Sequence, residues 1–231
     1  MNDDATAADL HRSCSCEWSL TCPYYDFCSS AAEHGHLACL TSAHERGYPW
    51  DEDTCMRAAD GGFLECLRYA HERGCPWDRR TTWAAAENGH LECLQYAHFN
   101  GCPWDVQTTI TAAKHGHLAC LKFAHQNGCP WNEATTTHAA MGGHLACLAY
   151  AHEHGCPWDR LTSVFAAVRP ELECLQYAYA RKCPGARDMS LGRLEEAASK
   201  TICRRYRRWK EIRAADVRLV LAGRLPRNGA T

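Results

Sequence analysis

Pro49, Pro76, Pro103, Pro130, Pro157 and Pro184 stand 27 residues apart, without one insertion or deletion between them. Around them recurs a unit approximating W-D-x-x-T-T-x-x-A-A-x-x-G-H-L-x-C-L-x-Y-A-H-x-x-G-C-P, clearest in residues 77–103 and 104–130. Residues 50–76, 131–157 and 158–184 complete five copies, and 22–49 form a degenerate sixth, one residue out of register. A period that never slips predicts a stacked array, because each unit meets its neighbours in the same way and an indel would break the stack.

Within one unit, Asp78 or Thr81 is placed to cap a first helix, and Ala84, Ala85 and Ala86 supply helix propensity with side chains small enough for close packing. Asn88-Gly89 ends that helix. His90 opens a second, carrying Leu91, Cys93, Leu94, Tyr96 and Ala97, which Asn100-Gly101 terminates and Cys102-Pro103 keeps from continuing. Two helices of about 10 residues and two turns fill the unit and leave no room for a strand pair. The expected fold class is therefore all-α, a solenoid of helical hairpins.

The core A-A-x-x-G-H-L-x-C-L-x-Y-A-H-x-x-G-C resembles the ankyrin repeat, over about residues 22–184. The unit falls six residues short of the usual ~33, all lost where an ankyrin repeat keeps its β-hairpin, so the resemblance implies an ankyrin-like solenoid with shortened or absent β-hairpins. More narrowly, G-C-P-W-D is similar to the short repeats abundant in amoebae and their large DNA viruses. That likeness implies a protein partner and an adaptor role in virus–host interaction. It also implies that the His after Gly is a hydrogen-bonding residue at the helix junction and that the Cys positions are small apolar core sites.

Composition closes off other classes. With 46% hydrophobic and 23% charged residues the chain fits neither wholesale disorder nor a membrane protein, and no apolar run reaches the ~18 residues of a spanning helix. Asp3, Asp4, Asp9, Glu17 and Asp26 argue against a signal peptide, so an intracellular, cytoplasmic or nuclear location is expected, in the host cell if the chain is viral. Seventeen cysteines suggest a disulfide scaffold, yet eleven occupy two repeat positions where Tyr48 stands in without disturbing the period. A reduced chain is expected. Each good unit also reads H-x2-C-x4-H-x3-C, as in His90, Cys93, His98 and Cys102, ligand types that suit zinc. Phe63, Tyr48, Glu171 and Tyr179 replace members of the set elsewhere, which favours packing roles; a zinc-binding repeat protein is the alternative, and no metal or cofactor is assigned. Cys14, Cys16, Cys22 and Cys28 form a non-repetitive cluster with no defensible zinc spacing. The periodic Trp50, Trp77, Trp104, Trp131 and Trp158 read as a buried packing spine ahead of a ligand-stacking ladder. No P-loop, G-x-S-x-G or G-x-G-x-x-G is present and no reaction is assigned.

Comparison of the copies shows which positions vary. On the first helix these recur at i, i+4 and i+8 and share a face, presenting Arg79, Arg80, Trp83, Glu87, Gln107, Ile110, Lys114, His138 and Val164 as a candidate protein-binding surface. Trp83, Ile110 and Val164 are read as apolar residues on a wet face. After Pro184 the period stops. Residues 1–180 hold 11 Lys/Arg against 22 Asp/Glu, whereas 181–231 hold 14 against 5. Arg204, Arg205, Arg207, Arg208 and Lys210 form a basic patch on a segment whose Ile202, Tyr206 and Trp209 make an amphipathic stripe. Two readings stand: a capping helix complementing the acidic array, or a nucleic-acid-binding or import element. The expected layout is an N-terminal cap over 1–21, the array over 22–184 and a basic helical cap and tail over 185–231. The expected function is a monomeric, non-catalytic scaffold with protein partners, without membrane or small-molecule substrate; nucleic-acid binding through 200–213 is the other alternative.

Overall fold

In the computed structural model residues 27–168 and 173–186 are described, and their regular structure is helical throughout. Six hairpins succeed one another: α1 (Phe27–Glu33) with α2 (Leu37–Glu45), α3 (Glu52–Asp60) with α4 (Leu64–Glu72), α5 (Arg79–Asn88) with α6 (Leu91–Phe99), α7 (Val106–His115) with α8 (Leu118–Gln126), α9 (Glu133–Gly142) with α10 (Leu145–Glu153), and α11 (Arg160–Val168) with α12 (Glu173–Ala180). The all-α expectation holds for the described residues. From Ala31 onward the first hairpin lies in register with the rest: Ala31, Ala32, Gly35 and Leu40 precede Ala58, Ala59, Gly62 and Leu67 by 27.

The caps explain where helices begin. Asp51, Asp78, Asp105 and Asn132 adopt extended backbone, and each side chain accepts the N–H of the residue two positions on, at 2.9–3.1 Å. Asp78 thus takes the cap that the sequence left open between it and Thr81, which is buried inside the array. The first helix of the third hairpin ends at Gly89, whose φ of 78° lies in the left-handed region. A Cβ there would also collide with the His117 imidazole from the next repeat, so glycine is required by both backbone and neighbour.

Two layers result. First helices pack closely on one another because their contact positions are Thr, Ala and Cys; second helices touch each other more sparsely. Leu40, Leu67, Leu94, Leu121, Leu148 and Leu175, one per second helix, are fully buried between the layers. Thr82 Oγ1 lies 2.9 Å from the Arg79 carbonyl, 3.1 Å from the Pro103 carbonyl that closes its own repeat and 3.4 Å from Thr108 Oγ1 of the next, and Thr109 and Thr136 repeat the arrangement. The threonine pair therefore links successive repeats with hydrogen bonds inside the core.

The tryptophans depart from a buried spine. Each is half-buried and face-stacked on the histidine six residues before it, with ring centroids 3.8–3.9 Å apart in all five pairs, from His44–Trp50 to His152–Trp158. In four of the five a tyrosine from the next repeat closes the stack edge-on, its hydroxyl hydrogen-bonded to the histidine Nδ1, as in His71–Tyr96 at 2.9 Å, and Phe123 takes that place against His98. Only packing against a neighbouring copy completes this column, which places it among the contacts that fix the stack.

The Cys/His set of one repeat is taken apart by the fold. His90 sits at the start of α6, His98 stacks on Trp104, Cys93 is buried in the second-helix core, and the Cys102 thiol donates to the Asp78 carbonyl at 3.2 Å. Cys75, Cys129, Cys156 and Cys183 make the same bond to Asp51, Asp105, Asn132 and Asp159. Burial pushes the Cys93, Cys102, Cys129 and Cys156 thiols up to about 12, from 9.0 in an exposed thiol. Among the described residues no three His, Cys, Asp or Glu side chains converge on a metal-sized site. Cys39 is disulfide-bonded, a correction to the expectation of a wholly reduced chain; the remaining described cysteines are free thiols. The Cys14, Cys16 and Cys22 part of the N-terminal cluster lies outside the described residues, and Cys28 is buried in the first hairpin.

Candidate interaction surface

The variable positions of the first-helix layer lie along the joints between successive repeats. At its centre Arg79, Trp83 and Asp105 form one unit. The Trp83 indole is half-buried and its Nε1–H donates to Asp105 Oδ1 at 2.8 Å, while Arg79 lies over the ring at 5.2 Å and within 3.7 Å of Asp105 Oδ2. Asp105 also caps α7, so the clamp joins two repeats at a helix N-terminus, where a carboxylate is favoured. Beside it, Arg80 donates to Asp78 at 2.9 Å and reaches back to Asp53 of the preceding repeat. A large aromatic held in fixed orientation between charged groups can bury area on a partner at little entropic cost.

The other expected residues divide. Gln107 and Lys114 are exposed on α7, and Glu87 faces His115 Nε2 at 3.3 Å. His138 is half-buried, its Nδ1 2.7 Å from the Ala134 carbonyl one turn earlier. Ile110 is 7% exposed, so it belongs to the inter-repeat packing and corrects the reading of it as an apolar residue on a wet face. Val164 is half-buried at the end of the array. The basic residues Arg204, Arg205, Arg207, Arg208 and Lys210 lie outside the described residues. No described helix is long and apolar enough to cross a membrane.

Sequence reasoning missed the acidic half of the clamp, because Asp105 reads as a helix cap shared with Asp51, Asp78 and Asp159. It also missed Phe99, 70% exposed on α6 against Phe123 at 5.8 Å between ring centroids. The signal was in the columns: Phe99 stands where Glu45, Glu72, Gln126 and Glu153 stand in other copies, and Phe123 replaces the tyrosine of Tyr96 and Tyr150.

No protein-family model matches this chain, and no curated protein matches it. Among solved structures it is similar to the crystal structure of the human ASB11 ankyrin repeat domain, with a TM-score of 0.57 over 64% of this chain and 80% of that one, at 18% identity. The fold is ankyrin-like. The ankyrin-like array reaches this fold with units of 27 residues and with no strand among its described residues.

Proposed function

We propose that this chain is a non-catalytic scaffold that holds a protein partner on the first-helix face, centred on the Arg79–Trp83–Asp105 clamp. The observation that carries the reading is Trp83 itself: a half-buried indole whose column otherwise holds Met56, Ile110, Thr137 and Val164, fixed by two charged neighbours. Arg80 and Glu87 lie one turn away on the same helix, Gln107 and Lys114 at the equivalent positions of the next repeat and His138 one repeat further, which gives the face hydrogen-bonding groups of both signs, the composition of an interface rim. The ankyrin-like fold supports a binding role, and the G-C-P-W-D unit supports a host protein as the target of a viral adaptor.

The test is recovery of partners from amoebal extract by the tagged chain, comparing the wild type with Trp83→Ala and with Glu65→Ala on the opposite layer. A specific partner should be lost with Trp83→Ala and kept with Glu65→Ala, while both variants retain the wild-type helical signal. Equal recovery by all three proteins refutes the face.

A further inference from the structure

We propose that the C-terminal end of the array is covered in cis, by residues 191–209 of the same chain docked on Leu161 and Val164 of α11. Each internal first helix turns the same three positions toward the next repeat: Asp53, Met56 and Asp60 on α3, Arg80, Trp83 and Glu87 on α5, Gln107, Ile110 and Lys114 on α7, Ala134, Thr137 and Met141 on α9. The contacts show it at the Asp53, Asp60, Trp83, Glu87 and Thr137 positions. Asp53 meets Arg80, Asp60 accepts from Asn88 at 2.8 Å, Trp83 bonds Asp105, Glu87 faces His115, and Thr137 lies 3.2 Å from Thr162. Ile110 and Thr137 are each 7% exposed as a result.

On α11 the corresponding residues are Leu161, Val164 and Val168, all apolar, with Leu161 52% and Val168 41% exposed. A solenoid edge of this kind needs an apolar-faced cap. Another repeat cannot supply it, because a further 27-residue step puts Arg193 where the copies keep a buried alanine, Ala112, Ala139 or Ala166. Beyond Ala186 the chain instead carries Leu191, Leu194, Ala198, Ile202, Tyr206 and Trp209, spaced by threes and fours into one helical stripe. Ala186 itself is buried just beyond α12, and the five residue steps from it to Leu191 span up to about 17 Å. Charge agrees: 14 Lys/Arg against 5 Asp/Glu in 181–231, opposite in sign to the 11 against 22 before it.

Hydrogen exchange on the full chain tests this. In the wild type, peptides from 191–209 should be protected about 100-fold or more over an unstructured chain. Leu161→Asp with Val164→Asp should abolish that protection and leave peptides of α4 unchanged; Leu161→Asp alone serves if the double variant disturbs the array. Reciprocally, Tyr206→Asp with Trp209→Asp should speed exchange in 160–168. The proposal is overturned if 191–209 exchange at unstructured rates, if their protection ignores the α11 substitutions, or if protection of 160–168 rises with concentration while the mass by light scattering doubles, which makes a second copy the cover.

Discussion

Raising the pH should unfold this array in a range where most helical proteins survive. Eight buried thiols have pKa values pushed up by burial, Cys28, Cys66, Cys120 and Cys147 to about 11 and Cys93, Cys102, Cys129 and Cys156 to about 12, from 9.0 in an exposed thiol. Each is at most 4% exposed. The unfolded chain therefore releases these protons first: above pH 9 it binds fewer protons than the native chain, and stability falls as pH rises toward the folded values. Between pH 8 and pH 10 one such thiol loses about 1.4 kcal/mol of stabilisation, so even four of the eight remove about 5 kcal/mol, comparable with the whole stability of an ordinary domain. Urea unfolding followed by circular dichroism under reducing conditions, at half-unit steps from pH 7 to pH 10.5, measures the slope. Cys102→Ala should lower the slope by about one proton, though it also loses a thiol bond. A stability that changes by less than about 1 kcal/mol from pH 8 to pH 10 would refute the assignment of these cysteines as buried, protonated core groups.

Leu94→Ala, at a fully buried site, should cost about 2–5 kcal/mol in denaturant unfolding. Ile110→Asn should also destabilise, by more than about 2 kcal/mol, since it puts an amide among inter-repeat contacts; a neutral result would return Ile110 to the solvent face. Trp83→Phe removes the bond to Asp105 while keeping most of the ring, and a loss of about 1 kcal/mol is expected, visible as a small shift in the urea midpoint. For Gly89→Ala, the left-handed backbone and the His117 ring together should lower the thermal midpoint by several degrees, whereas Gly101→Ala, with open space around its Cβ, should cost less.

Much of the scaffold was legible from periodicity alone. The phase of Pro49 to Pro184 placed every hairpin, and the Asp, Asn-Gly and Gly-Cys-Pro signals placed helix ends within a residue or two, because caps and left-handed turns are local physics. The surface was legible in part. Variation between copies pointed to Trp83 and its neighbours, but variability does not separate a solvent-facing position from one facing the next repeat. Ile110 and Trp83 share a column, and one is buried while the other is half-exposed. The bulk of each residue against its own neighbours decides that outcome.

By itself the sequence determined a length-perfect array of helical hairpins, since a 27-residue period, a glycine at the end of each helix pattern and a proline after each hairpin admit little else. Only the tertiary structure decided what the conspicuous residues do. Histidine carries no mark in sequence of whether it will ligate a metal, catalyse or lie flat on an indole, and a thiol is equally mute. Their roles depend on neighbours 6, 24 and 25 residues away, the Trp, the cap carbonyl and the tyrosine hydroxyl, which stacking brings together. Those distances arise between elements, and local propensity has no term for them.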